Sequence, residues 1–339
     1  MTPRPGRSRV RVVFIGTGEF GLETLRALEG AAEIDLAGVV TAPARPSGRG
    51  GRRRDSPVQR LATELGVEPI LRPERLRRPE AITEVLTLWP ELIVLADYGQ
   101  IVPKALLELR FGALNLHPSL LPRHRGAAPI PATILAGDAA TGVTLMRMDA
   151  GLDTGPIVAV ERVELGGTET APELEAALAS RAAGLLLRSL PGWLAGTLEP
   201  HPQGGGATLT RPLRREDGRL DPGRSAVDLE REVRAFQPWP GSWFDTSAGR
   251  ITVLAARALV PGGSHEAGRD AGRDAGRLGP VGDAPSLVTG QGLLQLTEVR
   301  LAGGRPMSGA EFVRGRPGIL GEMIRAPEAG RPPIESPVG

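Results

Sequence analysis

An α/β fold, with a Rossmann-like parallel sheet first and a small β-barrel domain after it, is predicted by three observations. Strand-like and helix-like segments alternate through the first two-thirds of the chain. The first strand runs straight into a glycine turn that opens a helix. Beyond residue 208 the texture changes to short strand-like pieces. Alternation implies a parallel sheet covered by helices on both faces, and short strands in succession imply a curled antiparallel unit. At 339 residues the chain has the length of two ordinary domains.

Residues 10–15, Val-Arg-Val-Val-Phe-Ile, are a buried strand. Gly16-Thr-Gly18-Glu-Phe-Gly21 follows, and apolar positions then recur at helical spacing to Leu28. Residues 34–41 make a second strand, and a Pro/Gly/Arg-rich loop spans 42–55. Ser56-Pro57 supplies a cap and a first helical residue, so a helix runs from Ser56 to Leu65. Strands at 68–71 and 91–96 with a helix between, a helix over 103–109 and a strand over 112–117 continue the alternation. Residues 141–148 and 156–163 read as strands. Thr170-Ala-Pro-Glu173 is a capping box that opens a long helix to Leu190. Pro200-His-Pro202 and Gly204-Gly-Gly206 then interrupt the pattern. Beyond them come a helix from Ser225 to Phe236 and strands at 250–259, 285–289 and 292–301. The domain plan is therefore 9–200, a linker over 201–208, a second domain over 209–325 and a disordered tail over 326–339. The four-residue repeat at 268–277 is mixed in charge and expected to be a disordered loop.

Composition excludes several kinds of chemistry. Cysteine is absent, which removes disulfides, thiolate nucleophiles and cysteine zinc sites. The four histidines are scattered, so no metal is expected. No apolar run approaches the ~20 residues of a membrane span. The basic, polar N-terminus does not resemble an export signal, so a cytoplasmic protein without membrane contact, acting as a monomer, is expected. A net charge of +2 says little about nucleic acid; local charge says more. The only Tyr, Lys and Asn are Tyr98, Lys104 and Asn115, and this close grouping points to a site nearby. Lys104 is read as a helix-surface charge, and Tyr98 as either a site residue or a half-buried packing residue.

Two motifs mislead. Gly16-x-Gly18-x-x-Gly21 matches the dinucleotide fingerprint, which would suit an NADP-dependent oxidoreductase, with Arg45 near a 2′-phosphate. The second strand, however, ends in Val40-Thr41-Ala42, without the acid that holds a ribose. A tight turn that needs small residues is the preferred reading. Asp153-Thr-Gly155 and Asp245-Thr-Ser247 look like the paired motifs of an aspartic protease, but such enzymes are nearly all β, unlike the alternation here.

One constellation survives. Asn115 and His117 are alternate residues at the end of a predicted strand, so both face one side. The carboxyl ends of parallel strands are where ligands bind. Asp153 lies in Gly151-Leu-Asp-Thr-Gly155, a turn whose glycines allow close backbone approach. An amide donor, an imidazole and a carboxylate suit acyl transfer to an amine, which needs no side-chain nucleophile. One oxyanion donor is worth ~3 kcal/mol, and general acid–base help ~10² to 10⁴ in rate.

Asn115-x-His117-x-Ser119-Leu-Leu-Pro122, with Asp153 placed 36 positions after the histidine, resembles the folate-dependent formyltransferases. Phe14-x-Gly16-Thr-x-x-Phe20, Arg45-Pro-x-Gly48-Arg-Gly50, Ser56-Pro-Val58, Tyr98-Gly99 and Arg125-Gly-Ala-Ala-Pro-Ile130 extend the likeness. Arg234-Ala-Phe-x-Pro-Trp-Pro240 is similar to the branch that formylates methionyl initiator tRNA. The resemblance covers 9–325 and implies 10-formyltetrahydrofolate as co-substrate. It also implies an oligonucleotide-binding (OB-like) second domain that holds tRNA. Asn115 and His117 would polarise the formyl oxygen, and Asp153 would support His117 and assist proton transfer. Ser119, Leu120, Leu121 and Pro122 would line the folate pocket. Loop 42–55, with Arg45, Arg49, Arg52, Arg53 and Arg54, would meet the acceptor end of the tRNA. An amino-sugar N-formyltransferase is the alternative that keeps the chemistry and changes the acceptor. The chain departs from the family's usual Pro-Asp at Gly18-Glu19 and from a usual acid at Ala44.

Overall fold

The computed structural model describes residues 9–47, 52–260, 274–327 and 332–338. In chain order the first part holds β1 (Val10–Gly16), α1 (Leu22–Glu29), β2 (Ile34–Val40), β3 (Arg45–Ser47), β4 (Arg52–Arg54), α2 (Pro57–Leu65) and β5 (Ile70–Leu71). There follow α3 (Pro79–Leu86), β6 (Leu92–Ala96), α4 (Lys104–Leu107), β7 (Ala113–His117), β8 (Arg125–Gly126), α5 (Pro129–Ala136), β9 (Ala140–Arg147), β10 (Ile157–Glu164) and α6 (Ala171–Leu194).

The main sheet has the order β10-β9-β7-β6-β1-β2-β5. Its five strands from β7 to β5 are parallel. β9 runs against both its neighbours, β7 and β10. A short turn joins β9 to β10, and a short turn can join only antiparallel strands. Strands buried on both faces read as continuous apolar runs, and Leu-Ile-Val-Leu-Ala of β6 is buried throughout. Alternate residues serve opposite layers: Phe14 joins the core under α1 and α6, while Val13 and Ile15 join the core under α3. Helix ends follow their caps. Ser56 Oγ accepts from Gln59 N at 2.9 Å, with Pro57 in the first turn of α2. Glu173 accepts from Thr170 N at 2.9 Å to open α6.

Two elements differ from the sequence reading. α5 was hidden by Pro129 and Pro131, which resemble breakers but sit in the first turn, where no N–H is needed. The described residues of the 42–55 segment include two short strands. β3 and β4 pair antiparallel, Arg45 opposite Arg54 and Ser47 opposite Arg52.

The chain then crosses the first domain. His201 bridges Ile157, and β11 (Thr208–Thr210) pairs with β8. The second domain holds α7 (Ala226–Ala235), β12 (Ser242–Thr246), β13 (Gly249–Leu259), β14 (Leu278–Val281), β15 (Ala284–Val288), β16 (Leu293–Leu301), β17 (Pro306–Ser308) and α8 (Gly309–Gly315). Its antiparallel sheet has the order β12-β13-β16-β15-β14, with β17 on β16, and curls as a half-barrel. Register shifts near Val253 and Ala255 mark where β13 bulges, which increases its bend and twist. α7 joins the two domains. Leu229 and Val233 pack in the second core, while Ala235 and Phe236 pack in the first. The Arg231 guanidinium closes over Gly137 at the end of α5; a Cβ there would sit 2.1 Å from Nη2.

Within the tail over 326–339, the described residues 332–338 include a strand. β18 (Glu335–Pro337) adds antiparallel to β11 and completes a sheet of order β18-β11-β8. Ile334 packs on the first core. Arg211 donates to the carbonyls of Pro332, at 2.9 Å, and Pro333, at 3.2 Å. Partners distant in sequence order this segment, which no local pattern could reveal. Most of the 268–277 repeat lies outside the described residues.

Candidate active site

β7 ends between β6 and β9, with Asn115 beside Leu95 and Met146 and His117 beside Thr144. Both polar side chains sit on one side of the strand and are almost wholly buried. The turn between β9 and β10 brings Asp153 back over the end of β7. Asp153 adopts a left-handed backbone, φ 53°, which costs on the order of 1 kcal/mol and persists only where the surroundings fix it. They do so here. Gln203 Nε2 donates to Asp153 O at 2.8 Å and to Gly155 O at 2.7 Å. Arg125 Nη2 donates to Gln203 Oε1 at 2.6 Å. A Cβ on Gly155 would sit 1.9 Å from Arg147 O, so the turn also needs a glycine.

The three candidate residues meet. Asn115 Nδ2 lies 3.4 Å from Asp153 Oδ1, and His117 Nδ1 lies 3.6 Å from Asp153 Oδ2. Gly126 N donates to that same Oδ2 at 2.8 Å. His117 Nε2 lies 2.9 Å from His124 O. A carbonyl can only accept, so Nε2 carries the proton and Nδ1 is the nitrogen turned toward the carboxylate. An amide N–H, an imidazole nitrogen and a carboxylate therefore converge on one small volume. This set can stabilise an oxyanion and relay a proton.

Ser119, Leu120, Leu121 and Pro122 leave β7 directly beside this set. Ser119 Oγ donates to Arg123 O at 2.7 Å, and Thr144 Oγ1 donates to Ser119 O at 2.7 Å. Leu121 N donates to Thr144 Oγ1 at 3.2 Å. The serine hydroxyl thus shapes the turn. Gln203, His124 and Thr144 hold the site but carry no sequence signal of their own; Gln203 stands in what reads as a linker. Tyr98 packs against the core under α3, and burial pushes its phenol up to about 12. Lys104 pairs with Glu108 on the surface.

The glycine turn does not offer a phosphate cradle. Much of Asp97 is exposed, but its carboxylate turns in against Gly18, where a Cβ would lie 1.8 Å from Oδ2. A pyrophosphate would meet this negative charge. Thr41, where a ribose acid would stand, is buried and hydrogen-bonded to Ser56 Oγ at 2.7 Å. The Asp153 and Asp245 motifs lie in different domains, and Asp245 is paired with Arg250 at 2.9 Å. Of the hairpin arginines, Arg53 and Arg54 are exposed; Arg49 lies outside the described residues. Among the described residues no group of three or more His, Asp or Glu is placed to hold a metal ion. None of the described helices is long and apolar enough to cross a membrane.

Comparison with known proteins covers both domains. The family described as formyl transferase matches residues 9–190, and the formyl transferase C-terminal domain matches residues 212–317. A methionyl-tRNA formyltransferase of Myxococcus xanthus is 42% identical over 91% of this chain and 96% of its own length. One from Halorhodospira halophila is 43% identical over 93% and 99%. Among solved structures, the sugar 3N-formyltransferase WlaRD shares the fold, with a TM-score of 0.61 at 12% identity over 85% of this chain and 98% of its own.

Proposed function

The chain belongs to the formyl transferase family, among the methionyl-tRNA formyltransferases, and from that membership we infer that it moves a formyl group from 10-formyltetrahydrofolate to the α-amino group of methionyl initiator tRNA. The observation that carries the reading is the convergence of Asn115, His117 and Asp153 at the end of β7.

The amine nitrogen attacks the formyl carbon, and the C=O π pair moves onto oxygen. Asn115 Nδ2–H stabilises that oxyanion, with His117 beside it polarising the formyl oxygen. Asp153 supports His117 and accepts the proton lost by the attacking nitrogen. The oxyanion collapses, the bond from carbon to the folate nitrogen breaks, and that nitrogen takes up the proton Asp153 received, which restores the carboxylate. The products are tetrahydrofolate and N-formylmethionyl-tRNA. Asn115 lowers the barrier by ~3 kcal/mol as a single oxyanion donor, and proton transfer through Asp153 and His117 contributes ~10² to 10⁴ in rate.

Ser119, Leu120, Leu121 and Pro122 line the folate pocket in this reading. Arg45, Arg49, Arg52, Arg53 and Arg54 carry the acceptor end of the tRNA. An isolated two-stranded hairpin is marginal. β4 alone carries Arg52, Arg53 and Arg54, and RNA phosphates neutralise that charge. The protein works in the cytoplasm as a monomer. The test is formyl transfer from 10-formyltetrahydrofolate to methionyl initiator tRNA, methionyl elongator tRNA and an amino sugar in parallel. Turnover with the initiator alone supports the reading. Turnover with the sugar would retain the chemistry and overturn the acceptor.

A further inference from the structure

His124 is a second buried histidine, five positions past Ser119, and the proton transfers above do not use it. Its ring lies between two carboxylates: Nε2 is 2.7 Å from Asp138 Oδ2, and Nδ1 is 2.6 Å from Glu335 Oε1. Its backbone is left-handed, φ 57°, a state that a residue with a Cβ keeps only when held from several sides. His124 N donates to Thr208 Oγ1 at 2.8 Å, and Thr208 Oγ1 in turn donates to Glu335. Glu335 thus lies beside the His124 ring, close to Nδ1 but outside hydrogen-bond geometry, and reaches the His124 backbone through Thr208. What this fixes is the His124 carbonyl, the acceptor that sets which nitrogen of His117 carries a proton.

Glu335 stands in β18, beyond residue 317 where the family match ends. The strand is anchored independently of Glu335. Arg211 N donates to Ile334 O at 3.0 Å, and Val338 N donates to Ala207 O at 2.9 Å. The same small sheet carries β8, whose Gly126 N–H binds Asp153. The C-terminal segment therefore reaches both members of the His117–Asp153 pair by routes one and two residues long.

We propose that Glu335, acting through His124, is a positioning residue for the catalytic imidazole, so that the C-terminal segment is a working part of this chain's active site. The proposal rests on the formyl-transfer reading for its kinetic consequence and on geometry alone for the coupling itself. Misplacing a reacting group by about 1 Å costs up to ~10² in rate.

Glu335→Gln, Glu335→Ala and a chain ending at Pro327 are compared with the full chain. Two readouts are taken: the kcat and KM for each substrate, and the ring ¹⁵N–¹H signals of the four histidines, with His117 assigned through His117→Gln. The expected result is a kcat about ten-fold lower in Glu335→Ala and in the truncated chain. KM for both substrates stays within two-fold, Glu335→Gln retains more kcat than Glu335→Ala, and the His117 Nε2–H signal shifts or is lost to exchange. Unchanged kcat with an unchanged His117 signal would overturn the proposal. So would a raised tRNA KM at constant kcat, which would make the segment a binding element. Should the full chain transfer no formyl group, the functional reading fails, while the His117 signal still decides the coupling.

Discussion

At the scale of single residues, two carboxylates each meet a glycine N–H. Asp153 is held by Gly126 N–H and faces an imidazole and an amide. Asp97 turns its carboxylate against Gly18, and burial raises its pKa above the ordinary 3.8, with the Gly18 N–H opposing. Burial also raises Glu175, and the charges of Asp97 and Glu19 add to it. A carboxyl whose pKa is raised on folding holds a proton that the unfolded chain has released. Stability therefore falls as pH climbs from the ordinary value through the folded one, and stays lowered above it. Asp97→Asn should raise the melting temperature at pH 7, and the gain should vanish near pH 3, where both states are protonated, about one unit below an ordinary carboxyl pKa. Thermal melts at the two pH values decide this; no gain at pH 7 contradicts it. Asn115 and His117 were legible in the sequence because strand alternation put them on one face. Asp97 was not, because its partner Gly18 is brought beside it only when β1 and β6 pair. The same contact explains why a dinucleotide motif can stand here without a dinucleotide.

Among elements, the β3–β4 hairpin and β9–β10 turn divide the proposed labour between substrate capture and chemistry. Replacing Arg53 and Arg54 with Ala should raise KM for the tRNA several-fold and leave kcat for bound substrate unchanged. It should also flatten the dependence of log affinity on log salt by about 0.7 to 0.9 for each phosphate no longer neutralised. A salt titration of tRNA binding checks this, and an unchanged slope would remove the hairpin from the RNA interface. The turn at Asp153 makes the opposite prediction: Gln203→Ala should lower kcat and spare tRNA affinity, because the residue holds Asp153 and Gly155 carbonyls. Steady-state kinetics separate the two. The arginines were legible as a cluster because charge is local in sequence. Their pairing as a hairpin was not, and Gln203 was hidden because it works through a contact 50 residues away.

For the molecule as a whole, the two domains share α7, with Phe236 fully buried in the first core while Leu229 and Val233 complete the second. Phe236→Ala should cost about 3–5 kcal/mol and destabilise both domains together, seen as one lowered calorimetric transition; two separate transitions with only one shifted would contradict it. The alternation of strands and helices was readable because each element carries its own periodicity. β18 was not, since its order comes from Arg211, β11 and the first core. The central claim is that Asn115, His117 and Asp153 act as one transfer site for a tRNA-borne amine. Single-turnover formyl transfer from 10-formyltetrahydrofolate to methionyl initiator tRNA, comparing the native chain with His117→Ala, tests it most directly. The account predicts a transfer rate lower by about 10² or more with tRNA affinity within two-fold. A variant that transfers at the native rate, or that fails only by losing tRNA, would contradict it.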